Sequence, residues 1–367
     1  MNPQELKFLN AFNSIPNLGP SSLRLLKNHF GNFAEAWHAG NDAFKNIGLE
    51  ARTREGLLWK KPSINPDREM EKMVKEKIWI ITEDDNLFPN ILKEIPYPPL
   101  LLYGTGNPQT LGTLGKSKTC VAVVGTRKPT GYGLQTCEKI ASELASSGIV
   151  ITSGLAIGID TKAHQTTLDN KGATVAIIGS GIDQPSIFPP ENQGLARKIV
   201  EAGGLVISEY APGTPAVKEH FPQRNRIISG LSRGVVVIEA RERSGALITA
   251  RFALDQNREV FAVPGSIFSL SAFGPHKLIR DGAKLITSAR DVLEELGLDY
   301  TGMSGEIFES LDEQEKIILG FLEEPLGIDV LKEKTKLDTS VVMTSLSLLE
   351  LKGLIRNLGQ DTYQKNQ

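Results

Sequence analysis

The sequence predicts an α/β fold built on a doubly wound, mostly parallel sheet. Three times between Thr119 and Asp183, an apolar, β-branched run of strand length ends in glycine and continues into a polar turn and a helix start. Runs without polar alternation are typical of strands that helices cover on both faces. Four similar runs follow before residue 298, so we expect about seven strands joined by right-handed crossover helices, an arrangement of the Rossmann type.

Residues 1–60 are predicted to form a small helical unit of the helix-hairpin-helix or SAM-like type. A Pro/Gly hairpin at Ser14–Pro20 precedes a helix with a serine cap and with Leu23, Leu26 and Phe30 on one face. The glycine-bearing hairpin can present backbone N–H groups to a phosphate. The alternative is a helix pair that only packs against its neighbours.

Residues 61–117 are interpreted as a bridge that leads into the core domain at 118–298. A charged helical segment is followed by the strand-like run IWIIT and by a Pro-rich stretch. Proline within strands is confined to edges and bulges, so we expect this bridge to supply extended structure at the edge of the main sheet.

A linker at 299–308 separates a last unit, 309–367, for which three short helices and a two-stranded wing predict a winged helix. From Glu306 to the end the chain has 7 Lys and Arg against 12 Asp and Glu. The segment from the second to the third helix contains no arginine. This unit is therefore poorly equipped to read DNA, which favours protein interaction or structural capping.

Composition restricts the class of protein further. Among 367 residues, 40% are apolar and 23% charged, and no apolar stretch reaches the ~18 residues of a membrane-spanning helix. With no signal-like N-terminus, we expect a soluble, cytoplasmic protein. The two cysteines, Cys120 and Cys137, are too few for a disulfide framework and are predicted to pack in the core. From Lys118 to Glu295 the chain has 20 Lys and Arg against 17 Asp and Glu, so a polyanion would prefer this part to the acidic tail.

The turns after the first three strands should line one crevice, because ligands of doubly wound sheets bind at the carboxyl ends of the strands. The first turn carries Arg127 and Lys128 in place of the glycine spacing of a dinucleotide fingerprint, so we expect side-chain contacts to phosphate there. At the second turn, Ser153 and Gly154 would let a ligand approach the backbone closely.

Further candidates follow the second and third strands. Lys162, in the helix after the second strand, is expected near the crevice, whereas His164 is interpreted as a packing or hydrogen-bonding histidine. In the FPPEN segment, Phe188 is a hydrophobic lid or a stacking platform for a base, and Asn192 lies beside it.

The segment Arg224-Asn225-Arg226 places two cations at the predicted start of an apolar helix, where the helix dipole favours an anion. Buried arginines need partners, so they either pair with a carboxylate such as Glu239 or bind phosphate. No serine-histidine-aspartate order, carboxylate pair or metal-ligand spacing is convincing. We expect no catalytic residue, no metal and no cofactor.

Five segments in order resemble the DNA-processing protein A family, called DprA or Smf. They are GTRKPTGYG, SGLAIGIDTKAH, FPPEN, the segment that begins EHFPQRNRIISGL and continues to VFAVPGSI, and GPHKLIRDGA. The resemblance covers about Leu87 to Leu296, and the flanking units fit the family's layout. It implies an extended Rossmann domain in a homodimer.

The resemblance also implies a function. Such proteins are not enzymes; they bind single-stranded DNA that enters during natural transformation, protect it and load RecA onto it. By position, Arg127 matches the family's phosphate-contacting arginine, Ser153-Gly154 the turn beside it, and Arg224-Asn225-Arg226 the arginine-asparagine-arginine motif. One departure is Ile157, where many relatives have a basic residue.

Two other functions are weighed against this one. A lysine-decarboxylase-like nucleotide phosphoribohydrolase shares the strand and glycine-turn pattern, but it should have a Pro-Gly-Gly-x-Gly-Thr turn where this chain has Arg243-Ser244-Gly245-Ala246. An adaptor that does not bind DNA and acts through the acidic winged helix is the third hypothesis.

Overall fold

The computed structural model describes residues 1–299, 311–352, 354–359 and 361–365, and the chain divides into two compact units, Met1–Tyr300 and Thr301–Gln367. The predicted linker, 299–308, lies outside the described residues from position 300 onward. The domain boundaries predicted at residues 60 and 117 remain predictions. Both of them fall inside the first unit, which contains the N-terminal helices and the sheet.

The first unit opens with a run of helices, and its strands and helices alternate within residues 118–298, as predicted. Its helices are α1 (Pro3–Asn13), α2 (Pro20–Phe30), α3 (Phe33–His38), α4 (Ala51–Lys60), α5 (Pro66–Lys75), α6 (Asn90–Lys93), α7 (Pro108–Thr113), α8 (Gly131–Ser146), α9 (Ile159–Asp169), α10 (Gln193–Glu201), α11 (His220–Gly230), α12 (Gly245–Asp255), α13 (Phe273–Arg280) and α14 (Ala289–Glu295). Its strands are β1 (Trp79–Thr82), β2 (Leu101–Thr105), β3 (Cys120–Val124), β4 (Val150–Ser153), β5 (Thr174–Ile178), β6 (Leu205–Ser208), β7 (Gly234–Val237), β8 (Glu259–Ala262) and β9 (Lys284–Leu285).

The nine strands form one sheet in the order β1-β2-β6-β5-β4-β3-β7-β8-β9. The seven strands from β3 to β9 are those predicted, and their pairings are all parallel. The bridge supplies β1 and β2, which pair antiparallel at one edge. The strand order reverses between β3 and β7, and this topological switch point is where such sheets bind ligands.

The inner strands have no solvent-facing side because helices cover both faces of the sheet. Every residue of β3, β4, β5, β6 and β7 is buried. Cys120 and Cys137 are buried and unpaired, as predicted, and burial raises the pKa of both thiols to about 12. Among the described residues, no helix is long and apolar enough to cross a membrane.

The N-terminal helices pack on one face of the sheet. Tyr103 of β2 is fully buried and donates a hydrogen bond to Asn10 Oδ1 of α1 over 2.8 Å. The hairpin between α1 and α2 forms, but the predicted serine cap is wrong. Helix α2 begins at Pro20 after Gly19, without a side-chain cap. Proline has no N–H group in this first turn, so one fewer donor needs a partner there.

The described residues of the second unit form three helices, α15 (Glu313–Phe321), α16 (Ile328–Thr335) and α17 (Thr339–Leu351), and three strands, β10 (Leu326–Gly327), β11 (Ile355–Gly359) and β12 (Thr362–Lys365). The strand order is β10-β12-β11, so β11 and β12 form the predicted wing. Ile318, Leu331 and Leu346, one from each helix, are buried in its core. The winged-helix prediction is confirmed.

Candidate nucleic-acid interface

A crevice of about 180 Å³ opens at the carboxyl ends of β3 and β4. The turns after these two strands form one side, and the FPPEN segment and the start of α11 form the other. Its lining residues are Arg127, Gly154, Ala156, Ile157, Phe188, Pro189, Pro190, Glu191, Phe221 and Arg224. Four of the ten predicted site residues therefore meet here: Arg127, Gly154, Phe188 and Arg224.

Arg127 is the exposed cation of this crevice. Its Cζ lies 5.4 Å from the centre of the Phe221 ring, a distance at which guanidinium and ring attract each other. No carboxylate pairs with it among the described residues. Gly158, at φ +91°, passes so near the Arg127 turn that an added Cβ would lie 2.4 Å from the Thr126 carbonyl oxygen. The start of α9 thus supports the backbone that carries Arg127, while the neighbouring Lys128 is exposed outside the lining.

Two aromatic rings stand beside this cation. The centroids of Phe188 and Phe221 are 5.7 Å apart with an interplanar angle of 46°, and Phe188 is 41% exposed. Phe221 is not among the predicted site residues, although it lies three residues before Arg224 in the most distinctive segment. Phe221 is partly buried. Accessible aromatic rings next to a guanidinium provide the two contacts that a single strand needs, stacking for a base and charge for a phosphate.

The second turn is organised by internal hydrogen bonds. The Ser153 hydroxyl is fully buried and donates to the Val123 carbonyl over 2.7 Å, so it does not face the crevice. Asp160, at the start of α9, accepts a hydrogen bond from the Gly154 backbone N–H over 3.0 Å. A Cβ on Gly154 would lie 2.6 Å from the Arg224 guanidinium, so a glycine is needed at this close approach.

Arg224 lines the crevice but is only 4% exposed. Its Nη1 donates to the carbonyls of Ile177 and Gly154, the latter over 2.8 Å, and its Nε donates to Asn225 Oδ1. Burial lowers the pKa of Arg224 to about 10; the charge of Asp160 opposes this shift and that of Arg127 adds to it. Arg224 therefore remains charged near neutral pH and joins the ends of β4 and β5 to α11.

Arg226 is also buried, and it pairs with a carboxylate that the sequence analysis did not name. Its Nη2 donates to both carboxylate oxygens of Glu209, just after β6, over 2.7 and 2.8 Å. The suggested partner, Glu239, instead accepts hydrogen bonds from Thr130. Both arginines lie in the second turn of α11, which begins at His220, so the predicted place at the helix start is wrong. The dipole argument does not apply to them, because that effect fades after the first turn.

The remaining predicted site residues have partners inside the protein. Lys162 Nζ forms an ion pair with Glu138 over 2.8 Å. Asn192 is buried and donates to the Leu155 carbonyl, and Asn225 donates to the Gly245 carbonyl. Lys162 joins α9 to α8, Asn192 holds the loop after β4, and Asn225 contacts the start of α12; none of the three lines the crevice.

The buried His164 has the packing and hydrogen-bonding environment that was predicted. Its Nδ1 lies 2.7 Å from Thr174 Oγ1. Burial, and to a smaller degree the charge of Arg224, lowers the pKa of His164 to about 3, so the ring is neutral near pH 7. Within the described residues, no cluster of three or more His, Cys, Asp or Glu side chains has an arrangement that could hold a metal.

Comparisons with known proteins place this chain in a family. The family model described as "DNA recombination-mediator protein A" matches residues 79–297, and the model of the DprA winged helix domain matches residues 309–360. Protein Smf of Synechocystis sp. is 35% identical over 97% of each chain.

Two solved structures share the fold. DNA processing protein A from Streptococcus pneumoniae is 37% identical and superposes with a TM-score of 0.65, over 80% of this chain and 98% of that chain. DNA processing protein A from Helicobacter pylori, described for its single-stranded DNA binding mode, is 30% identical with a TM-score of 0.53, over 60% of this chain and 97% of that chain. The chain therefore belongs to the DNA-processing protein A (DprA/Smf) family.

Proposed function

We propose that this protein binds single-stranded DNA in the crevice at the ends of β3 and β4. One observation carries the proposal: Arg127 is exposed, has no ion-pair partner among the described residues, and lies 5.4 Å from the Phe221 ring, whose centroid is 5.7 Å from that of Phe188. Arg127 contacts a phosphate and the two rings stack against a base. The buried side chains of α11 shape the crevice and do not contact the strand directly.

The chemistry of the crevice favours holding a strand over cutting it. Arg127 provides a planar fork for phosphate, and its only charged neighbours in the lining are Glu191 and the buried Arg224. Cleavage would need a nucleophile and a base in hydrogen-bonding reach of each other, or a metal centre. We therefore propose a binding protein and not an enzyme.

Family membership supports the finer role. We propose that the protein acts in the cytoplasm on single strands taken up in natural transformation, protects them and loads RecA onto them. RecA-dependent strand pairing on strands first coated with this protein tests the loading step. Pairing no faster than on uncoated strands contradicts it.

We also propose a homodimer. Three large apolar side chains before α13 and one at its first residue are exposed: Phe268, which is 92% exposed, Ile267, Leu270 and Phe273. Such a patch on a soluble domain is typical of an interaction surface. Sedimentation velocity should show a dimer for the wild type and a monomer for Phe268→Asp, whereas the control Trp59→Asp, at another exposed aromatic side chain, should remain dimeric.

The binding proposal is tested by equilibrium titration of single-stranded and blunt double-stranded oligonucleotides of equal length. We expect single strands to bind more tightly and with little sequence preference, because the crevice offers few base-reading side chains. Log affinity should fall with log salt with a slope of roughly −0.7 per phosphate contacted. Hydrolysis of nucleotides, measured on the same samples, should be absent. Equal or tighter binding of the duplex contradicts the proposal.

A further inference from the structure

A second and larger cavity, of about 570 Å³, lies at the switch point of the sheet. It is formed by the first residues of α8, the end of β7, and the end of β8 with the loop that follows. Its lining residues are Thr130, Tyr132, Ile238, Glu239, Val263, Pro264, Gly265, Ser266, Ser269 and Ala272. This volume is within the ~300–1,000 Å³ range of small-molecule sites, and the switch point is where doubly wound folds place their ligands. We call it the switch-point cavity.

Glu239 is the charged member of this lining, and it is only 4% exposed. Thr130 donates to it twice, from the backbone N–H over 2.9 Å and from Oγ1 over 2.6 Å. No Lys or Arg pairs with Glu239 within the described part of the chain. Each carboxylate oxygen can accept more than one hydrogen bond, so Glu239 retains capacity for a ligand that donates.

The lining contrasts with that of the Arg127 crevice. None of the described residues in this lining is a Lys or Arg, so a phosphate placed beside the buried Glu239 would be repelled. Ile238, Val263, Pro264 and Ala272 make the walls largely apolar. The half-exposed Tyr132 lies at the opening, where its hydroxyl donates to the Pro264 carbonyl over 2.7 Å and fixes the ring. The complementary ligand is uncharged, with a planar apolar face and several hydrogen-bond donors.

We propose that the switch-point cavity binds a nucleoside unit, with Glu239 accepting hydrogen bonds from sugar hydroxyl or base amino groups and Tyr132 stacking against the base. In dinucleotide-binding folds of this type, a carboxylate about 20 residues after the first glycine turn accepts a hydrogen bond from a ribose hydroxyl; Glu239 would make the same kind of contact from the end of a different strand, β7. A fully charged amine fits less well, because two hydrogen bonds and the start of α8 already stabilise the carboxylate. The proposal goes beyond strand binding at the Arg127 crevice and does not depend on it.

The nucleoside unit has two possible sources, a free nucleoside or the terminal residue of a bound strand. Calorimetric titration of the full-length protein with guanosine, adenosine and thymidine tests the site directly. Repeating the titrations with saturating oligonucleotide separates the sources. Simultaneous binding indicates a free nucleoside, and competition indicates the strand terminus. Tighter binding of butylamine than of any nucleoside overturns the proposal in favour of a cation site.

Two variants locate the binding. Glu239→Gln removes the charge and should weaken nucleoside binding about tenfold or more. Because Glu239 also holds the start of α8, Tyr132→Ala provides a second variant at a half-exposed position. It should weaken binding through lost stacking, by roughly fivefold or more, and Tyr132→Phe should restore most of it. Trp59→Ala, at an exposed aromatic outside the lining, is the matched control.

The outcomes are decisive in both directions. Absence of heat and of ligand-induced stabilisation with all three nucleosides, up to their solubility limits, overturns the proposal. So does binding that Glu239→Gln and Tyr132→Ala leave unchanged in folded protein. Strand binding at the Arg127 crevice is measured separately on each sample, so failure of the nucleoside site does not decide the proposed function.

Discussion

Arginines approach the crevice from two sides, the turn after β3 and helix α11, and the protein holds them in different ways. Arg127 is exposed, and among the described residues no carboxylate forms an ion pair with it, although Glu191 lines the same crevice. Arg224 and Arg226 are less than a tenth exposed and are bonded to carbonyls and to Glu209. All three residues are arginines near the same end of the sheet. Their burial and their bonding partners therefore distinguish the ligand-binding cation from the structural ones.

Buried and exposed arginines also contribute to two different free energies, that of folding and that of ligand binding. A buried guanidinium that pairs with a carboxylate contributes to folding, and its loss leaves that carboxylate without a cation in a poorly solvated place. An exposed guanidinium contributes little to folding, so its charge is available to a ligand.

The largest effect is expected for Arg226→Ala. Removing it leaves Glu209 buried without its cation, so the free energy of unfolding should fall by about 3–5 kcal/mol. Urea denaturation of the full-length protein, followed through the unfolding transition of its first unit, measures this decrease in the free energy of unfolding. Arg197→Ala, which breaks an exposed pair with Glu201, is the control and should cost less than about 1 kcal/mol. If Arg226→Ala lowers the free energy of unfolding only slightly but greatly weakens DNA binding, Arg226 is a ligand-binding cation and not a structural one.

Arg127→Ala should have the opposite profile. We expect a loss of about 1.5–3 kcal/mol in single-strand binding, roughly tenfold or greater in affinity, with unchanged stability. Arg127→Lys should restore only part of the affinity, because an ammonium retains the charge but not the planar fork. The control is Arg251→Ala, an exposed arginine of α12 that does not line the crevice. Wild-type binding by folded Arg127→Ala would show that the crevice is not the DNA site.

Phe188→Ala tests the stacking half of the proposed contact. Loss of one stacked base should cost about 1–3 kcal/mol of single-strand affinity, and it should leave the salt slope unchanged because no charge is removed. Fluorescence anisotropy at several salt concentrations separates the two quantities. If Phe188→Ala and the exposed-aromatic control Trp59→Ala have the same small effect, the rings are a lid and not a platform.

The smallest effect is expected for deletion of the tail from Glu306 onward. The deleted segment has 7 Lys and Arg against 12 Asp and Glu, so DNA affinity should remain the same or increase slightly. The same anisotropy titration measures it. A large loss of affinity would show that the winged helix contacts DNA, as a third region besides the turn after β3 and helix α11.

The sequence alone determined the fold class and the order of its elements. Runs of buried, β-branched residues are local signals, so all seven parallel strands and the winged helix could be predicted from them. The place of Arg127 was also predictable, because a polar turn at the carboxyl end of a buried strand lies at the edge of the sheet.

Only the tertiary structure decided the roles of the remaining cations and aromatic rings. Arg226 finds Glu209, 17 positions away, and Arg224 reaches Gly154, 70 positions away. The rings of Phe188, which follows β5, and Phe221, which follows β6, lie in contact with each other. The sequence pattern does not encode such pairings, because they depend on which strands become neighbours and how far each helix extends. The start of α11 at His220 moved both arginines out of the first turn, and burial then required partners within the protein.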